Sequence, residues 1–240
     1  MKRKTALTTG LIALTAIALA AIYVTSKSRT FQFFGGLTAE VKTDKKLIAL
    51  TFDDAPSPFS DDVLRILAAK NAKATFYVIG KAMEEYPEHA RRITAQGHEL
   101  GNHTYSHRRM AFKSPGFISA EIEKTDSLIR KSGYGGEITF RPPYGKKLFI
   151  LPFYLHRRGT RTVTWSVEPD TYHQGDAAAI RGFTLAHAAP GAIILLHPFC
   201  DNACSADREA LPAIIDGLRE KGFTLVTVSQ LLNESATLRP

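Results

Sequence analysis

Apolar and polar positions along the chain follow two periods. Short apolar runs bounded by turn-forming residues read as buried strands at 46–52, 73–79, 97–100, 137–141, 161–166, 192–197 and 223–228. Between them lie longer segments with helical spacing, at 59–70, 87–96, 116–132, 147–158, 176–188 and 206–221. From Phe117 to Arg130, for example, Ile118, Ile122, Leu128 and Ile129 mark one face. Regular alternation of strand and helix predicts an α/β fold with a mostly parallel sheet, because a parallel pair needs a crossover and a helix is the usual one. The pattern allows a distorted, incomplete (β/α) barrel of about seven parallel strands. No internal repeat or low-complexity segment interrupts it.

The N-terminus departs from this pattern. Met1-Lys2-Arg3-Lys4 is basic, and Thr5 to Val24 is a charge-free, largely apolar stretch of 20 residues, long enough to cross a bilayer. The expected organisation is a basic cytoplasmic tip and transmembrane signal anchor at 1–29, a linker at 30–45 and one folded domain at 46–240, held outside the cytoplasm in a periplasmic or extracellular position. The alternative is secretion after cleavage near Ala18-Leu19-Ala20, against which the apolar run continues through Ala21-Ile22-Tyr23-Val24. The net charge of +8 is concentrated at this end. Removing Lys2, Arg3, Lys4, Lys27 and Arg29 from the 31 basic residues leaves 26 against 23 acids, a net of +3. That excess is too mild for a nucleic-acid binder. Local pairs such as Arg91-Arg92, Arg108-Arg109 and Arg157-Arg158 read as solvated faces.

Chemistry is carried where strands end. Asp53 and Asp54 follow the apolar run Leu47-Ile48-Ala49-Leu50. Two carboxylates at the end of a buried strand require a cation, a base or a shared proton to offset repulsion and desolvation, unless they only cap the helix that follows. His103 and His107 stand four apart, a spacing that puts both rings on one face of a helical turn. Two imidazoles and one carboxylate, Asp54 or Asp53, make a metal site with an open position. Three further groups sit at strand ends: Arg141-Pro142-Pro143-Tyr144-Gly145, Trp165-Ser166-Val167-Glu168-Pro169-Asp170, and His197 after Ala192-Ile193-Ile194-Leu195-Leu196. Adjacent side chains of an extended strand point to opposite faces, so Asp53 and Asp54 converge only if the chain turns, which the sequence predicts at Ala55-Pro56.

With these motifs in order, the chain resembles the polysaccharide deacetylases, the family-four carbohydrate esterases (the chitooligosaccharide deacetylase homology domain), from about Lys46 to Leu232. The resemblance implies the incomplete (β/α) barrel and a metal-dependent hydrolase. It implies Asp53 as general base and Asp54, His103 and His107 as ligands of a divalent metal, Zn2+ before Co2+ or Mn2+. Arg141 is implied to orient the base, the backbone N–H of Tyr144 to meet the oxyanion, and His197 to act as general acid. Asp170, with Glu168 as second choice, is implied to hold the His197 ring. Pro143, Trp165 and Leu196 are expected to line the substrate pocket, with Tyr172 as a further candidate and plain core as the alternative for Trp165. Two positions depart from the family pattern: Ala55 stands where it has glycine, and Thr171 where it has tryptophan.

The chemistry also follows from the residue types. Amide hydrolysis needs an activated water and a place for negative charge, and a divalent ion serves both. Asp53 would take the water's proton, Arg141 would lower the carboxyl's pKa, and His197 would give a proton to the leaving amine near neutral pH. The expected activity is removal of N-acetyl or O-acetyl groups from an envelope or extracellular glycan such as peptidoglycan or a chitin-like polymer. The alternatives are a deacylase or deformylase of a lipid-linked amino sugar, and a glycan-binding domain that has lost turnover. Cys200 and Cys204 could close a small disulfide loop after His197 outside the cytoplasm.

Overall fold

The computed structural model describes the backbone of residues 2–237 and the side chains of residues 12–234. In chain order the elements are α1 (Lys2–Ser26), β1 (Leu37–Thr38), β2 (Leu47–Ala55), α2 (Ser60–Ala69), β3 (Thr75–Val78), α3 (Gly80–Glu85), α4 (Pro87–Ala95) and β4 (Glu99–Asn102). They continue with α5 (Pro115–Lys131), α6 (Ile150–Arg157), β5 (Thr162–Val163), α7 (Ala177–His187), β6 (Ile193–Leu196), α8 (Ser205–Glu220), β7 (Thr224–Val226) and α9 (Val228–Thr237).

Every ladder between these strands is parallel. One sheet runs β4-β3-β2-β6, with β7 paired to the start of β2, and β1 pairs with β5 in a second. Single bridges from Asn102 to Phe140, from Phe140 to Thr162 and from Val167 to Ile194 join the two sheets. The result is a barrel-like ring closed partly by bridges instead of full strands.

Strand parity decides which side chains face the helices and which face the interior. In β2, Ile48, Leu50 and Phe52 join the large core beneath the helices, while Ala49 belongs to the inner cluster with Tyr77, Trp165, Ile193 and Leu195. Thr51 and Asp53 share the parity of Ala49, so a carboxylate enters the barrel interior without disturbing the outer core. Each fully buried Val, Leu, Ile or Phe side chain of the outer core, Phe52 among them, contributes about 1.5–3 kcal/mol.

The strand expected at 137–141 is reduced to the bridges at Phe140. Pro142 and Pro143 have no N–H to extend the ladder. The helix expected from 147 begins at Ile150, and the backbone N–H of Lys147 is bonded to the carbonyl of Ser26. Helices α3 and α9 and strand β1, the last lying within the expected linker, were not predicted from the sequence. Helix α1 spans the charge-free N-terminal stretch. Among the described residues no helix is long and apolar enough to cross a membrane, so the expected transmembrane span is not supported. The side chains of the basic tip and of Thr5 to Leu11 lie outside the described residues.

Candidate active site

Asp53 is carried into the interior by β2 and is 2% exposed. Its Oδ1 accepts a hydrogen bond from Nη1 of Arg141 at 2.7 Å. Arg141 is fully buried and also donates to Thr51 Oγ1 and to the carbonyl of Thr164. Its guanidinium lies 3.9 Å from the centroid of the Tyr77 ring, an apolar face suited to a weakly hydrated cation. Burial alone would raise the Asp53 pKa, but the charges of Arg141, His103 and His197 outweigh it and hold the carboxyl below its ordinary value.

Asp54 converges on the same space because its own backbone leaves the strand conformation. Its φ is +68°, and the β2–β3 register shifts between Asp53 and Ala55. The turn that brings the two acids together is therefore a bulge at Asp54, one residue before the position expected from sequence. Ala55 is fully buried in the outer core and is not among the residues with positive φ, so a methyl group is accommodated where the family has glycine.

His103 and His107 also meet by a route other than the helical turn inferred from their spacing. They lie in the loop after β4, where Thr104 and His107 have φ of +69° and +55°, and their ring centroids are 4.9 Å apart. Side chains fix this loop. Asn102 Oδ1 accepts from Thr104 N, Thr104 Oγ1 accepts from His107 N, and the buried Glu121 accepts from both Ser106 N and Ser106 Oγ. His103 Nδ1 is 2.7 Å from the carbonyl of Arg141, which leaves Nε2 free to act as a ligand.

Asp54, His103 and His107 offer ligand atoms that all lie within 4.8 Å of one another. Asp54 Oδ1 is 3.2 Å from His107 Nε2 and 3.7 Å from His103 Nε2. Ligands at about 2.1 Å in a tetrahedron stand about 3.4 Å apart, so the spacing fits a small divalent ion. The same Oδ1 is buried without a hydrogen-bond partner, a costly state that a cation would relieve.

On the far side of these groups, His197 directly follows β6. Its backbone N–H and Nδ1 both meet Asp170 Oδ2, at 2.8 and 2.7 Å, and Asp170 Oδ1 accepts from Thr171 N. Burial opposes protonation of His197, but the hydrogen bond and charge of Asp170 prevail and raise its pKa to about 10. Glu168 is not the partner. It accepts from Trp165 Nε1 and Thr171 Oγ1 and pairs with Arg29 at 3.4 Å.

Asp53, Asp54, His103, His107 and His197 open on one cleft of about 790 Å³, lined also by Tyr144, Trp165, Tyr172 and Leu195. Tyr144 has φ of +58°, and among the described residues its N–H meets no acceptor, while its ring packs on His107. Two expected lining residues are not there. Leu196 is on the outer face of β6 in the helix-covered core, and its neighbour Leu195 faces the cleft, as strand parity requires. Pro143 is buried beneath Tyr144 and Gly145, which line the cleft instead.

The chain fits the family model for polysaccharide deacetylase over residues 40–160. It belongs to the polysaccharide deacetylase family. A peptidoglycan-N-acetylglucosamine deacetylase of Bacillus cereus is 34% identical over 80% of this chain and 70% of its own length. A chitooligosaccharide deacetylase of a Bradyrhizobium strain is 34% identical over 77% of this chain and 90% of its own. The crystal structure of a peptidoglycan N-acetylglucosamine deacetylase superposes with a TM-score of 0.77 at 32% identity, covering 81% of this chain and 91% of the other. A CE4 family pseudoenzyme from Bacillus anthracis superposes with a TM-score of 0.75 at 27% identity, over 83% of this chain and 69% of its own. The fold is thus common to a deacetylase and to a pseudoenzyme, so it does not by itself distinguish turnover from its loss.

Several residues of this deacetylase's cleft were not legible in the sequence. Val24, Lys27, Ser28 and Arg29, assigned to the anchor, form part of the wall. They are held by Lys147, which is 1% exposed and donates from Nζ to the carbonyl of Ser28, and by Thr164 Oγ1, which donates to the carbonyl of Arg29. Burial lowers the Lys147 pKa to about 8. Lys147 lies three residues past Tyr144, and no local pattern distinguishes it from a surface lysine. Cys200 and Cys204 are joined in a disulfide in the loop after His197.

Proposed function

We propose that this deacetylase hydrolyses N-acetyl groups on a glycan of the peptidoglycan or chitooligosaccharide type. The observation that carries the reading is the arrangement across one cleft: a carboxylate held ionised by a buried arginine on one side, a histidine held protonated by a carboxylate on the other, and a three-residue ligand group between them.

Asp54, His103 and His107 are the residues that would hold a divalent ion, which would supply Lewis acidity to the acyl oxygen and to the attacking water. Imidazole and carboxylate donors suit Zn2+ first, with Co2+ and Mn2+ as functional substitutes. Asp53 accepts a proton from the attacking water as its oxygen bonds to the acyl carbon, and Arg141 keeps that carboxylate charged and aimed. The Tyr144 N–H donates to the oxygen on which negative charge develops. His197 then gives its Nε2 proton to the sugar nitrogen as the carbon–nitrogen bond breaks, releasing acetate and a free amine. Trp165, Tyr172 and Leu195 supply apolar surface for the acyl group and sugar ring. A position outside the cytoplasm is supported by the Cys200–Cys204 disulfide.

The test is acetate release from N-acetylglucosamine oligomers and from peptidoglycan by the zinc-loaded chain. Release from neither substrate, with metal bound, would refute the assignment.

A further inference from the structure

Beside the active-site cleft lies a second cavity, of about 230 Å³, which shares His197 and Thr171 with it. Asp170, Gln174 and the disulfide Cys200–Cys204 line its wall, and Asp207 contributes a second carboxyl. Asp207 is in the first turn of α8 and is only 4% exposed, yet its Oδ1 has no hydrogen-bond partner. A buried carboxyl oxygen left unpaired costs about 1–3 kcal/mol, more if charged.

The two acids of this cavity are bonded differently. Asp170 accepts three N–H bonds, from His197 N, His197 Nδ1 and Thr171 N. Asp207 has no such donors. The charged groups facing it are Asp170, His197 and its own neighbour Arg208. The Arg208 guanidinium is already bonded to the carbonyls of Pro198, Cys200 and Asp201 and lies over the Phe59 ring. Helix α7 contributes only Ile180 to the cavity. Burial, and then the charge of Asp170, push Asp207 up to about 7, so its proton leaves near neutrality.

We propose that Asp207 is a positioning residue for the general acid, a second carboxyl whose negative charge, felt across the shared cavity, holds the His197 imidazole protonated in alkaline solution. The sign follows from electrostatics: an added anion near an imidazolium favours the charged form. Below neutrality Asp207 is protonated and its influence is small. Above it, Asp207 adds its charge to those of Asp170, Asp53 and Asp54, which already face His197. The inference rests on reading His197 as the proton donor to the leaving amine.

The experiment compares the zinc-loaded full chain with Asp207→Asn, which keeps the shape and removes the charge. The ratio of variant to wild-type kcat/KM for deacetylation should fall progressively as pH rises above 7, with the alkaline limb moved to lower pH. A ratio independent of pH would assign Asp207 a merely structural role and overturn the proposal. The second readout needs no turnover: the His197 imidazole titration, followed by NMR, should move to lower pH in the variant, and an unmoved titration also overturns it. If neither protein releases acetate, the substrate assignment fails while the NMR comparison still decides this one. Should Asp207→Asn not fold, Asp207→Ser carries the same expectation.

Discussion

Replacing Arg141 by Met tests the site at its most buried point. Arg141 and Asp53 are paired at 2.7 Å with side chains 0% and 3% exposed, so the substitution leaves a carboxyl in the interior with its main compensating charge removed. Breaking a buried pair from one side costs about 3–5 kcal/mol. For a chain of this size each kcal/mol lowers the unfolding temperature by about 2–4 °C, so at least about 6 °C should be lost. The pH dependence has a definite sign. In the wild type, Asp53 is held below its unfolded pKa, so the pair's contribution is present above about pH 4 and fades as pH falls through the folded value. In the variant, burial raises Asp53 instead. The folded state then binds the extra proton, and the stability deficit is largest at neutral pH and shrinks toward pH 4. The same change should move the acid limb of kcat/KM upward by about two pH units, because a carboxyl loses an opposite charge worth about one to three. The assays are calorimetric unfolding of the metal-free chain between pH 4 and 8 and a pH–rate profile of the loaded enzyme. Equal unfolding temperatures at pH 7.5 together with an unmoved acid limb would refute the reasoning.

Asp53→Asn should bind metal at the wild-type ratio, measured by elemental analysis, while losing 10²-fold or more in kcat, the range typical of a deleted general base. His103→Ala should lose both metal and acetate release, and chelation of the wild type should do the same reversibly on adding Zn2+, Co2+ or Mn2+; a metal-free chain with full activity would overturn the ligand assignment. Cys200→Ser with Cys204→Ser removes a closed loop of about five residues, worth about 2 kcal/mol in the loop-entropy model, so unfolding should shift down by several degrees in calorimetry with no change in metal content.

The course of the strands and the polar groups at their ends were already present in the sequence. Apolar runs ending in Asp53, Arg141, Asp170 and His197 reveal where polar groups leave a parallel sheet, since only strand ends can hold them without breaking the core. Six of the seven strands and the helix on each side of the sheet follow from the same periodicity. Decisions that depend on a single residue's backbone angle or on distant packing could not be read there. Asp54 joins Asp53 through a left-handed residue and a bulge, and His107 joins His103 through a loop braced by Asn102 and Glu121, neither of which leaves a periodic trace. Leu195 and not Leu196 faces the cleft because register with β2 fixes parity, and register is a pairing between segments over a hundred residues apart. The choice of Asp170 over Glu168, the burial of Lys147 against the backbone after α1, and the unpaired Asp207 behind His197 likewise depend on which surfaces meet. Local sequence sets the chemistry available at each strand end; only the closed packing of the barrel sets which of those groups share one cleft, and in what state of charge.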